Sequence, residues 1–309
     1  MWIDILAFAL SLYLVTLGST KATVFAVRLA ESLNLSRYTV GFIVVAVISI
    51  LPETLISINS AFAGIPSFGL GTLFGSNIAD LTLIYAIIIL YAGRSLKVES
   101  KILKNSRVFP FMLFLPLILG LDGYFSRLEG FALIVTGAIF YYTALKTGAD
   151  GKTARIQNGS RVKNSAFLLL SMLIILVGAH FTVTSATTIA QRLGINPILI
   201  GMLVVGLGTT LPELFFSIKA VKKRDDSLAI GDLLGTVLAD ATVVVGILAM
   251  VSPFYFPKKI IYITGCMMVV AAFILFRFMH TGRRLDKKEA FLLLLFWLCF
   301  LVVEFFTNT

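Results

Sequence analysis

The chain repeats its acids inside apolar sequence. Glu53 and Glu213 each follow a Leu-Pro pair, each stands deep in an apolar stretch, and they lie 160 residues apart. The same offset carries Asp80 onto Asp240. Residues 41–87 run in register with 201–247 without a gap. Their identities include Gly41, Val44, Val45, Leu51, Pro52, Glu53, Ser57, Ile58, Gly71, Leu73, Gly75, Ala79, Asp80, Thr82 and Ile87. The register continues upstream through Gly18/Gly178, Ala26/Ala186, Ala30/Ala190 and Leu33/Leu193. Duplicated acids in apolar surroundings predict one site assembled from two half-sites, an arrangement of transporters.

Composition sets the medium. Hydrophobic residues make up 58% of the chain and charged residues only 14%, with a mean hydropathy of +0.97. Soluble domains carry about 25% charged residues. The expected fold is therefore an all-α integral membrane protein. Ten transmembrane helices are predicted near 3–31, 37–63, 67–92, 107–121, 125–146, 165–192, 197–221, 227–251, 255–278 and 287–306. Each approaches the roughly 20 residues that cross a hydrocarbon core. The first 30 residues lack a basic leader and a small-residue cleavage site, so they are expected to be a span and not a removable signal. Cys266 and Cys299 lie inside apolar runs and offer neither a disulfide framework nor metal-ligand spacing.

A net charge of +10 suggests a nucleic-acid partner until its distribution is read. The odd-numbered connections hold most of it: Arg37, then Arg94 to Arg107, Lys146 to Lys163, Lys219 to Arg224, and Arg277 to Lys288. The even connections and their edges hold only Arg127, Arg192, Lys258 and Lys259. Excess basic residues mark cytoplasmic loops, so the protein is expected in the cell membrane with both termini outside. The charge is topology, with some attraction for anionic membrane lipid, and no nucleic-acid partner is expected.

Five spans separate each element from its repeat, and five is odd. Residues 1–146 and 165–309 are thus predicted to be two inverted-topology repeats of five helices, joined by a cytoplasmic linker at 147–164. No Walker sequence is present, which points to an ion gradient as the energy source. Pro52 and Pro212 break their helices at equivalent places and free backbone carbonyls near 46–49 and 206–209.

An ionised acid at mid-membrane costs roughly 2.5–3.5 kcal/mol. Four, uncoupled, would cost on the order of 10–14 kcal/mol. Lys21 is the one basic residue predicted well within a span, and its repeat partner is Phe181. A bound cation or a proton is the simpler counter-charge. Ser49, Thr209, Thr210, Ser76 and Thr236 surround the acids, so the ligands are all oxygen, which suits a hard cation such as Ca²⁺. Ser49 and Thr209 precede their glutamates by four residues, as Ser76 and Thr236 precede their aspartates. That spacing puts hydroxyl and carboxylate on one helix face and predicts several adjacent cation positions. His180 reads as a core or cavity residue, and Asp225, Asp226 and Asp232 as solvated or capping residues at a span end.

At these motifs the sequence resembles the calcium/cation antiporter superfamily, most closely the prokaryotic sodium/calcium exchangers. The motifs are Gly208-Thr209-Thr210-Leu211-Pro212-Glu213 with Gly235-Thr236-Val237-Leu238-Ala239-Asp240, and Ser49-Ile50-Leu51-Pro52-Glu53 with Gly75-Ser76-Asn77-Ile78-Ala79-Asp80. The resemblance implies alternating access, with sodium entry driving calcium out and no resident cofactor. It implies that Glu53 and Glu213 are the central calcium ligands. Ser49, Thr209, Thr210, Ser76, Thr236 and the carbonyls of Ala46 and Gly206 would complete the sodium positions, with Asp80 and Asp240 at the cavity. Spans 1 and 6 would slide to switch access. The sequence departs from the family at Ile50, where a second hydroxyl is lost, and at Asp80, where many exchangers carry Asn.

Proton- or potassium-coupled exchange of calcium, or of another divalent cation, fits the same residues. An intramembrane aspartyl protease does not: there is no Gly-x-Gly-Asp motif, and a duplicated Leu-Pro-Glu has no role in that chemistry. A channel on the same scaffold lacks specific support. An antiporter, not an enzyme, is the expectation.

Overall fold

A computed structural model describes residues 2–30, 45–98, 108–148 and 161–308. It is built almost entirely of helices. Among the described residues seven are long and apolar enough to cross a membrane: Trp2–Phe25, Pro66–Ala92, Val162–Leu193, Pro197–Lys222, Asp226–Val251, Ile260–His280 and Lys287–Thr307. Ala46–Phe62 and Phe109–Asp122 are shorter apolar helices, and Arg127–Gly148 is a further helix of 22 residues. The starts of the predicted second and fourth spans, and most of the 147–164 linker with Lys152 and Arg155, lie outside the described residues. The adjoining helices run further into that linker than expected, to Gly148 and from Arg161.

Proline and glycine chemistry set the breaks. Pro52 and Pro212 each occupy the first turn of a new 12-residue helix, Leu51–Phe62 and Leu211–Lys222, just past a turn at Ile50 or Thr210. A missing N–H costs nothing there, because first-turn donors have no intrahelical acceptor. Gly93 and Gly123 end their helices at φ +65° and +84°, the left-handed region that side chains resist. The next pair of helices also match in length: Pro66–Ala79 and Asp226–Ala239 have 14 residues each. Each runs into a five-residue π-turn whose first residue is the acid, Asp80 or Asp240. Such wide turns are often found at functional sites.

The structure adds four two-residue strands that the all-α expectation lacked. Leu96–Lys97 (β1) pairs with Arg284–Leu285 (β4), and Tyr124–Phe125 (β2) with Phe254–Tyr255 (β3). Both are antiparallel clips between the two halves of the sequence.

Glycine lets the central helices meet backbone to backbone. A Cβ on Gly75 would stand 2.1 Å from the Met202 carbonyl oxygen, and one on Gly206 would stand 2.9 Å from Ser76 N. The long helices Trp2–Ala30 and Arg161–Leu193 pack on each other reciprocally. Gly18 faces Ile175 and Ser171, whereas Gly178 faces Val15 and Ser11, each contact the other shifted by 160. Reciprocity of this kind is what a two-fold relation between like surfaces produces. Arg192 closes one end of this pair onto Asp4 at 2.7 Å.

Candidate functional site

Glu53 and Glu213 lie in the first turn after their proline breaks, and both are wholly buried. Asp80 and Asp240 are buried on the neighbouring helices, at 1% and 0% exposure. No oxygen of these four carboxylates has a hydrogen-bond partner. No Lys or Arg among the described residues pairs with them; the ion pairs there are Arg94–Asp226 and Arg192–Asp4. The acids are near enough to act on one another. The charges of Glu53 and Asp80 reach Glu213 and Asp240, and that of Glu53 reaches Asp80. Unpaired buried carboxylates carry a desolvation cost that a cation arriving among them relieves.

The hydroxyls are arranged as acceptors. Ser76 donates to Leu73 O, Thr209 to Gly206 O and Thr210 to Leu207 O, all at 3.0 Å. A hydroxyl has one proton and two lone pairs. Once the proton is held by the backbone, the oxygen can only accept, which is what a cation requires. Thr236 is fully buried with its hydroxyl unpartnered. The Ala46 and Gly206 carbonyls are not left free by the prolines. They accept from Ile50 N and Thr210 N at 3.0 and 3.3 Å; Ala46 O keeps a second lone pair, whereas Gly206 O also takes the Thr209 hydroxyl.

Two expectations are corrected. Asp232 is neither solvated nor capping: it is 0% exposed, six residues inside its helix, and accepts from Ser49 Oγ at 3.2 Å through Oδ1. Its spacing held the signal, because Asp232, Thr236 and Asp240 recur every four residues and share one face. Asp226 is buried too, held by a two-pronged Arg94 ion pair at 2.7 Å and by Lys97 N–H at 2.9 Å; Asp225 alone keeps a capping position. His180, read as a core or cavity residue, is exposed and lines a surface cavity with Asn59 and Phe181, its Nδ1 3.2 Å from Asn59 Oδ1, and takes no part in the acid cluster. Lys21, likewise, faces outward.

Sequence reasoning also passed over Ser57 and Ser217. They are related by the same offset, lie one turn beyond the glutamates, and are buried with unpartnered hydroxyls. Among the described residues, no three His, Cys, Asp or Glu side chains converge as a metal-holding group.

A multi-pass helical membrane protein with partnerless carboxylates and acceptor-only hydroxyls at its centre belongs to the class of cation transporters. The chain is a member of the sodium/calcium exchanger family: the family's model, "Sodium/calcium exchanger protein", matches residues 3–146 and again 163–306. An uncharacterised membrane protein of Methanocaldococcus jannaschii is 31% identical over 75% of this chain and 77% of its own length. The sodium/calcium exchanger MaX1 of Methanosarcina acetivorans is 25% identical over 98% and 99%. Among solved structures, the sodium-calcium exchanger NCX_Mj soaked without Na⁺ and Ca²⁺ superposes with a TM-score of 0.73 at 25% identity, over 97% of this chain and 98% of that one. The chain is thus a transmembrane ion antiporter of a calcium- and sodium-transporting family, not an enzyme family.

Proposed function

We propose that the protein exchanges Na⁺ for Ca²⁺ by alternating access, with Glu53 and Glu213 holding the divalent ion jointly. The observation that carries this reading is the pair of buried glutamates, without internal partners, placed identically after two proline breaks. Asp80 and Asp240 would stand beside them, and Ser49, Ser76, Thr209, Thr210, Thr236 and the carbonyls of Ala46 and Gly206 would supply neutral oxygens for the smaller charge of sodium. A divalent ion needs more compensating charge than a monovalent one on leaving water, so the acids favour calcium and the neutral oxygens sodium.

The fold reading that accompanies it is ten spans in two inverted repeats, residues 1–146 and 165–309, with a cytoplasmic linker and both termini outside. The double family match, the equal helix lengths and the reciprocal Gly18–Gly178 packing support it. Trp2–Ala30 and Arg161–Leu193 would move as a pair across the remaining helices. Proton or potassium coupling is the second reading, favoured by Asp80 as an additional acid.

Purified protein in vesicles, given sodium, proton and potassium gradients in turn, separates the two. Calcium uptake against its gradient with sodium alone is expected. Uptake with a pH or potassium gradient but none with sodium overturns the sodium assignment.

A further inference from the structure

The two halves of the site differ where Ser49 meets Asp232. In the second half a threonine pair, Thr209 and Thr210, precedes the Leu-Pro-Glu sequence; in the first half Ser49 is followed by Ile50, which has no oxygen to offer. The Ala46–Ser49 helix packs on the Asp226–Ala239 helix. At that contact stands a carboxylate with no counterpart: the residue 160 positions before Asp232 is Thr72, whose hydroxyl is spent on Phe68 O at 3.0 Å. Beside the four duplicated acids, a further buried carboxylate therefore lies on the side of the site that is short of a hydroxyl.

Its hydrogen bonding is half complete. Ser49 Oγ donates to Asp232 Oδ1 at 3.2 Å, while Oδ2 is buried with no partner. Asp232 is close enough for its charge to act on Asp80 and Glu213, and to feel that of Glu53. Ser49 has a single proton, and giving it to Asp232 turns its lone pairs away from that carboxylate. Glu53 lies four residues beyond Ser49, across the turn at Ile50.

Resting on the antiporter reading above, we propose that Asp232 is a positioning and specificity-determining residue of the transport site. It fixes Ser49 as a cation acceptor and supplies the negative charge that makes the first-half side prefer divalent over monovalent cations. The asymmetry follows from elementary electrostatics: at equal distance a fixed carboxylate attracts a divalent ion twice as strongly as a monovalent one. A purely structural acid in this position would be an oddity, since an uncompensated buried carboxylate destabilises the fold that contains it.

The test is Asp232→Asn, which keeps the shape and the Ser49 acceptor but removes the charge. Radiolabelled calcium uptake by reconstituted protein is read for half-saturating calcium, maximal rate and inhibition by sodium. Calcium binding to the detergent-solubilised protein is titrated in parallel. Partners one shell out from a metal typically change its affinity 10–100-fold when removed. We expect D232N to raise half-saturating calcium at least about tenfold, with a smaller change in inhibitory sodium and in maximal rate. Ser49→Ala should also weaken calcium, and sodium at least as much, because it removes the Ser49 oxygen itself and leaves the Asp232 charge. The double variant should be no worse than the more affected single one, because both disturb one unit. An unchanged ratio of calcium to sodium affinity, or fully additive effects, overturns the proposal. If D232N does not fold, Asp232→Ser, which also removes the charge, decides through the same ratio. Absence of calcium exchange in the unmodified protein would instead count against the antiporter reading itself.

Discussion

At the scale of single residues, the site is legible wherever an acid interrupts an apolar run. Glu53, Glu213, Asp80 and Asp240 stand out for that reason, and the structure buries all four. Asp232 was hidden by its neighbours: with Asp225 and Asp226 just before it, it reads as the edge of a span, and only packing against Ser49 shows its depth. The proline breaks were legible, but not which carbonyls they leave accessible, because Ala46 O and Gly206 O are retaken by the N–H groups of the turn. If the two glutamates act as one divalent ligand pair, losing either charge should be as damaging as losing both. Glu53→Gln and Glu213→Gln should each reduce calcium flux at least about 100-fold, at the upper end for loss of a tightly held partner. Flux within a few fold of normal in either would remove that residue from the site.

At the scale of elements, helix identity followed from hydrophobic run length and helix ends from Pro and Gly. Short features did not. The strands β1 to β4 have two residues each, too few to form a period, and their partners are more than 120 residues away. The π-turns at Asp80–Ile84 and Asp240–Val244 have no residue code of their own. The close crossing at Gly75 is marked in the sequence only by the glycine itself, whereas the structure shows what approaches it: the Met202 backbone. Gly75→Ala should force the two helices apart, destabilising the protein by about 1–3 kcal/mol, as overpacking generally does. Thermal unfolding in detergent measures it, and an unaltered midpoint would mean that the crossing is looser than described. The Arg94–Asp226 pair is a second such lock, tying the end of the Pro66–Ala92 helix to the start of Asp226–Val251. The adjoining carboxylate holds the Arg94 guanidinium above its ordinary value.

At the scale of the whole molecule, the repeat explains why so much could be read in advance. A two-fold design states each structural instruction twice, so chance matches are filtered by the constant offset of 160. Deviations from that offset, Ile50 against Thr210 and Thr72 against Asp232, then mark where the halves have diverged. Orientation in the membrane is carried by the basic residues alone. In a chain with Cys266→Ser and Cys299→Ser, an impermeant maleimide applied to intact cells should label Lys258→Cys and spare Lys222→Cys. The reverse pattern would invert the topology.

The central claim is that sodium and calcium compete for one glutamate-centred site, and gradient-driven flux tests it most directly. Vesicles containing the purified protein and loaded with sodium are diluted into sodium-free medium with radiolabelled calcium. The predicted result is calcium accumulation that collapses when external sodium is restored and that is absent in Glu213→Gln. Accumulation indifferent to the sodium gradient, or intact without the Glu213 charge, would contradict the account.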